Sequence, residues 1–206
     1  MACAPWSSES RPKRARQRPR SPLPIAVTLA ATERDADPLL RLWDEASQFE
    51  PAPSMRALGY VAHITLGIYA DDAAEEVDVA AMALFAHRDA IRLRFRVLAC
   101  FDGTSPVLYA APDPSAPLLD LHGTLQALMA PESCHAHYRP GSFVPHSTLA
   151  MRVAPERREL ALGFMHKTKI DCKVVFGRGD VVAFPPARVL SRYSLHPFTE
   201  EGARTE

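Results

Sequence analysis

The 206-residue chain has little of what would announce several common functions. Its four cysteines (Cys3, Cys100, Cys134 and Cys172) are too few and too scattered for a disulfide framework. No apolar run approaches the ~20 residues of a membrane-spanning helix, and the apolar centre of a secretory signal is missing. With no export signal, the thiols read as reduced and the protein as cytoplasmic, with no membrane partner. Nine glycines form neither a phosphate-cradling loop nor a dinucleotide fingerprint. The formal net charge is zero. What remains is 47% hydrophobic and 23% charged, enough for one good core or two lobes sharing one.

The charge is unevenly spread. Residues 1–24 hold six basic side chains (Arg11, Lys13, Arg14, Arg16, Arg18 and Arg20) against Glu9 alone, interleaved with five prolines. Such a segment cannot bury enough apolar surface to fold alone, so a disordered basic tail is expected there. A phosphate-gripping arm is the less favoured reading of the same composition.

Against this background one pattern stands out. His63-Ile64-Thr65-Leu66 and His146-Ser147-Thr148-Leu149 spell His-x-Thr-Leu twice, 83 residues apart. Two such matches among eight histidines arise by chance roughly once in a few hundred chains. Each copy lies in an apolar, β-prone run, Tyr60 to Tyr69 and Pro145 to Val153. Strand side chains alternate, so His63 and Thr65 share one face while Ile64 and Leu66 take the other, and His146 and Thr148 likewise oppose Leu149. Each motif therefore predicts a strand with a buried face and a chemical face. Ser147 falls on the side away from His146, which argues against a serine nucleophile.

The flanking elements repeat as well. Helices are expected at about 38–49 with Asp37 as N-cap, 73–88 with Asp72 as N-cap, 116–130 after Ser115, and 155–165. Strands are expected at Ile25 to Ala31, Ile91 to Phe101, Pro106 to Ala111, Lys169 to Phe176 and Arg188 to His196. Corresponding elements lie 78 to 83 residues apart. The expectation is an α+β fold: a bilobal pseudo-twofold repeat, two antiparallel sheets forming a central cleft, helices outside. The domain would span 25–197, with lobes at about 25–111 and 112–197, and a flexible tail at 198–206.

A phosphodiester or cyclic phosphate held between two such strands could be opened without a metal. Displacement at phosphorus needs a proton taken from the incoming oxygen and one given to the departing oxygen, and two imidazoles titrating near neutrality can do both. The threonine hydroxyls, on the same faces, could donate to the non-bridging oxygens as their charge grows. At this point the chain resembles a known family. His63-Ile-Thr-Leu, and Tyr138-Arg-Pro-Gly-Ser-Phe-Val-Pro-His146-Ser-Thr-Leu-Ala, are similar to the two signatures of the two-histidine (2H) phosphoesterase superfamily, in its 2′-5′ RNA ligase and cyclic phosphodiesterase branch. The resemblance covers roughly residues 25 to 197. It implies a bilobal fold, no cofactor and no metal. It implies His63 and His146 as acid and base, and Thr65 and Thr148 as phosphate binders. The implied substrate is RNA or a nucleotide with a 2′,3′-cyclic phosphate, hydrolysed or reversibly ligated by a monomer.

Further candidates rest on the residues alone. Arg92, Arg94 and Arg96 share one face of a strand; Arg96 is carried as a substrate contact, and a solvated sheet face is the bland alternative. Tyr138 and Phe143 could stack on a base or simply pack their loop. Tyr60 and Tyr69 are expected to fill apolar space, and His122 to sit at the surface. Cys134, His135 and His137 invite a metal-dependent hydrolase, but no second ligand cluster stands at a structural-zinc spacing. A non-catalytic module that holds phosphate ends of RNA is the alternative function.

Overall fold

A computed structural model describes residues 23–198. The basic tail expected at 1–24 and the tail at 198–206 thus lie outside the described residues, apart from 23, 24 and 198, as does Cys3. The chain order is β1 (Ile25–Ala31), α1 (Asp37–Ser47), α2 (Ser54–Ala57), β2 (His63–Tyr69), α3 (Ala74–Phe85), β3 (Ile91–Phe101), β4 (Val107–Pro112), α4 (Ala116–Leu128), β5 (Ser147–Ala150), α5 (Arg158–Lys167), β6 (Cys172–Ala183) and β7 (Arg188–Ser194). The fold is α+β, and every pairing between these strands is antiparallel. Ser115 caps α4, its Oγ accepting from the Leu118 amide at 3.4 Å. Asp37 and Asp72 do not cap: Asp37 is the first residue of α1, and Asp72 lies in a 3₁₀ turn ahead of α3. No helix among the described residues is long and apolar enough to cross a membrane.

The strands form two wings joined through one long strand. The first wing runs β2-β1-β6-β7 and the second β5-β4-β3-β6. β6 serves both, because Cys172 to Phe176 pair with β3 while Arg178 to Ala183 pair with β7 on the same edge. The strand expected to end at Phe176 therefore continues seven residues further, through Gly177 and Gly179. Those glycines are demanded by packing rather than by a turn. A Cβ on Gly179 would run into the Phe85 ring of α3, and one on Gly177 would lie 2.8 Å from Thr32 Cγ2.

The wings do not follow the expected division near residue 111. β3 and β4, from the first half of the chain, pair with β5 of the second, and β1 pairs with β6. The helices cross over too: α1 and α2 lie against β5, whereas α4 lies against β2. Each motif strand is thus covered by the segment that precedes the other motif. Side-chain and backbone bonds fix these contacts. Trp43 Nε1 of α1 donates to the Thr148 carbonyl at 2.9 Å, and Glu50 Oε1 accepts from the amides of Met151 (2.9 Å) and Arg152 (2.8 Å) just beyond β5. On the other side, the amide of His135 donates to the Ile68 carbonyl of β2 at 2.8 Å. These bonds occupy edge-strand groups that would otherwise stay unpaired.

Candidate active site

β2 and β5 end the strand path, yet they lie side by side, so the sheet curls and brings both motifs to one cleft. Ile64, Leu66 and Leu149 are buried on the helix side, while His63, Thr65, His146 and Thr148 are half-buried on the inner face. Ser147 is fully buried on the opposite face, as alternation requires.

The histidines are held identically. His63 Nδ1 lies 2.8 Å from the Val61 carbonyl oxygen, and His146 Nδ1 lies 2.7 Å from that of Val144. A carbonyl can only accept, so each Nδ1 carries the hydrogen, and in the neutral ring each Nε2 keeps its lone pair. In both cases the partner is two residues upstream, in Tyr60-Val-Ala-His63 and Phe143-Val-Pro-His146. This aromatic-Val-x-His match extends the repeat beyond His-x-Thr-Leu, a signal that the motif alone leaves out. Burial pushes the pKa of both imidazoles below the ordinary 6.5. For His63 the Val61 bond opposes that shift, a positive His146 adds to it, and the Asp180 carboxylate opposes it. The two rings are thus close enough for one to sense the other's charge.

The surroundings differ between the wings. His146 is walled by aromatic rings, Phe101 at 4.9 Å and Tyr109 at 5.3 Å between centroids, and these two stack on each other at 4.3 Å. His63 has the Tyr60 ring at 5.0 Å, and behind it a polar network. The Tyr60 hydroxyl lies 2.9 Å from Thr28 Oγ1 and donates at 2.6 Å to Asp180, whose carboxylate has no exposed surface. Arg178 Nε donates to both oxygens of the same carboxylate at 2.9 and 3.1 Å. Burial, and the hydrogen bond to Asp180, push the Tyr60 pKa up, so the phenol stays a donor. Tyr60 is therefore a polar member of the site rather than a space-filler.

The other expected site residues fall into place unevenly. Tyr138 is half-buried over β2, where burial pushes its phenol pKa up and the Thr65 side chain opposes that shift. Phe143 stacks face to face on His122, with centroids 3.8 Å apart and planes at 6°, so one ring face is used for packing. His122 is a buried residue, not a surface one; its Nε2 donates to the Tyr138 carbonyl at 2.7 Å. Arg96 occupies a bulge of β3 across from Ala111, and its Nε is held by both oxygens of Asp113 at 3.0 and 2.9 Å. Cys134 is buried, whereas His135 and His137 are exposed, and among the described residues no three His, Cys, Asp or Glu side chains gather as a metal would need. Phe101, Tyr109, Thr28, Arg178 and Asp180 carried no motif. Strand register alone brings them together.

Solved structures share this architecture. TT0787 of Thermus thermophilus is 20% identical over 86% of this chain and all of its own, with a TM-score of 0.60. E. coli LigT, in a complex with 3′-AMP, is 15% identical over 85% of this chain and 99% of its own, with a TM-score of 0.57. A protein described as a phosphoesterase is 17% identical over 85% and 99%, with a TM-score of 0.56. No curated protein matches by sequence. The family model of the 2′-5′ RNA ligase superfamily matches residues 37–178, which include both histidine motifs and most of the sheet. With that match and the paired motifs on facing strands, the chain belongs to the 2′-5′ RNA ligase superfamily, among the two-histidine phosphoesterases.

Proposed function

We propose that the protein is a metal-independent phosphodiesterase acting on the 2′,3′-cyclic phosphate ends of RNA or on cyclic nucleotides, with reversible 2′-5′ RNA ligation as the same chemistry using another nucleophile. The observation that carries this reading is the matched fixing of two imidazoles, each with Nδ1–H tied to a carbonyl and Nε2 left for proton transfer. In hydrolysis, a neutral imidazole takes a proton from water as its oxygen bonds to phosphorus. The second imidazole, protonated, gives its proton to the 2′ or 3′ oxygen as that P–O bond breaks, leaving a phosphomonoester. The next turnover needs only the exchange of one proton with solvent. Thr65 and Thr148 supply hydroxyls to the non-bridging oxygens, and Tyr138, beside Thr65, completes that side. Arg96, half-exposed on the second wing, adds a positive charge toward a nucleotide's phosphates, and Phe143 packs the loop that carries Tyr138. A nucleoside 3′-phosphate such as the one bound to LigT is one of the two products this opening can give.

The test is turnover of 2′,3′-cyclic nucleotides in EDTA by the wild type, His63→Ala and His146→Ala. The expected result is chelator-resistant activity that both substitutions abolish while the fold is kept. A near-normal rate in either variant overturns the mechanism. Tight binding of phosphate ends by a wild type that never turns them over would favour a non-catalytic RNA-end module.

A further inference from the structure

The first wing carries a charged pair that the repeat does not require. Across its inner face, strand pairing aligns His63 with Ala30, Ala30 with Arg178, and Arg178 with Ser194. The neighbouring row aligns Thr65, Thr28, Asp180 and Arg192. In the second wing the same steps from Thr148 through Tyr109 reach Ala99, and the step from Ala111 reaches Val97. Asp180 and Arg178 thus correspond to Ala99 and Val97. The equivalent positions of the second wing are apolar, and burying an ion pair in the first carries a desolvation cost that the attraction between its charges must offset.

The geometry of the pair is one-sided. Asp180 is wholly buried, whereas the Arg178 side chain keeps 27% of its surface exposed. Asp180 engages only Nε, so the two terminal amino groups of the guanidinium are not committed to it. Tyr60 donates to the carboxylate, while Thr28 Oγ1 lies 2.9 Å from the Tyr60 hydroxyl and 3.4 Å from the Asp180 backbone carbonyl. From the cleft, the pair therefore presents donors and positive charge on a rigid support, the arrangement suited to a phosphate oxygen. Arg192, opposite Asp180 on the same face, is exposed and adds a second cation.

The position also separates Arg178 from the reacting group. It lies two strand spacings from His63, roughly 10 Å between backbones, on the side away from β5 and His146. A phosphate gripped between the two histidines lies on the opposite side of His63. We propose that Arg178, supported by Asp180 and Tyr60 and assisted by Arg192, forms a second phosphate subsite that takes the phosphate on the 5′ side of the reacting nucleotide. This rests on the function proposed above, and it identifies the substrate class as nucleotides or RNA ends with a second phosphate, rather than nucleoside cyclic phosphates alone.

Binding tests it without turnover. Adenosine 3′-monophosphate and adenosine 3′,5′-bisphosphate are titrated calorimetrically into the wild type, Arg178→Gln and Arg178→Lys. The bisphosphate is expected to bind the wild type on the order of tenfold more tightly. That preference should fall below about threefold in Arg178→Gln, persist in part in Arg178→Lys, and leave the monophosphate Kd within about twofold throughout. Should Arg178→Gln not fold, Arg192→Gln on the exposed strand is expected to reduce the preference without touching the buried network. Equal wild-type affinities, no binding of either ligand, or a loss shared equally by both ligands would overturn the subsite. Turnover of adenosine 2′,3′-cyclic phosphate, with and without a 5′-phosphate or a 5′-linked nucleotide, then separates the two readings. Absence of all turnover strikes the catalytic proposal and leaves the binding comparison readable, and the two 5′ forms distinguish a mononucleotide from an RNA end.

Discussion

The hydroxyl of Tyr60 and the carboxylate of Asp180 are joined by a 2.6 Å hydrogen bond across 120 residues of sequence. Tyr60 precedes His63 on the approach to β2, so this bond pins the start of the first motif strand to the strand that links the wings. Tyr60→Phe removes one donor from a buried carboxylate that Arg178 still holds. A loss of about 1–3 kcal/mol in unfolding free energy is expected, measured by urea titration. An unchanged midpoint would mean that water replaces the hydroxyl.

Thr65 and Thr148 should matter to the barrier more than to binding. Replacing either by alanine is expected to raise the barrier by about 3 kcal/mol, on the order of a hundredfold in kcat, with KM changed far less. Steady-state kinetics on a 2′,3′-cyclic nucleotide decides this. An effect confined to KM would assign the hydroxyls to ground-state binding.

The pH profile follows from two imidazoles lowered by burial. In the mechanism proposed above, the working form has one ring neutral and one protonated, and it is most populated midway between the two macroscopic pKa values of the pair. With both directions downward, the optimum of kcat/KM is expected on the acid side of 6.5, with activity falling as pH rises above it. Stability should show the opposite sense. The unfolded chain takes up protons near 6.5 while the folded histidines, His122 included, still resist them, so stability declines as pH drops below that point. The decline should shrink when His63 and His146 are both replaced by glutamine.

Gly179→Ala tests the packing of α3 on β6. The added methyl would meet the Phe85 ring, itself buried and stacked on Tyr193 at 5.9 Å, so it has little room to retreat. A destabilisation of about 1–3 kcal/mol is expected, seen as a lower Tm. Gly163→Ala, on open space in α5, is the control and should leave Tm unchanged or raised.

The motif strands were legible because a period of two leaves a plain mark: His and Thr on one side, Ile and Leu on the other. α4 was legible from Ser115, whose hydroxyl does cap it. Beyond these elements, long-range register decides the structure. Gly177 and Gly179 look like strand breakers, yet they are contact points for Thr32 and Phe85 inside a twelve-residue strand. With β6 cut short, nothing tied the two halves together, and the expected lobes followed the order of the chain. Asp180 and Arg178 had no motif around them, and their neighbours Thr28 and Tyr60 lie more than a hundred residues upstream. Only strand pairing makes that site.

The exchanged covering segments bear on how the cleft is assembled. A chain ending near residue 112 would hold His63 on a strand lacking α4 and the amide of His135. The complementary piece would hold His146 just ahead of a strand lacking Trp43 and Glu50. Neither fragment contains a finished half-site, and contacts spanning about a hundred residues are among the slower ones to close. Each half-site is therefore completed only when contacts about a hundred residues apart in the chain have closed, so a partly folded chain holds two unfinished halves rather than one assembled cleft.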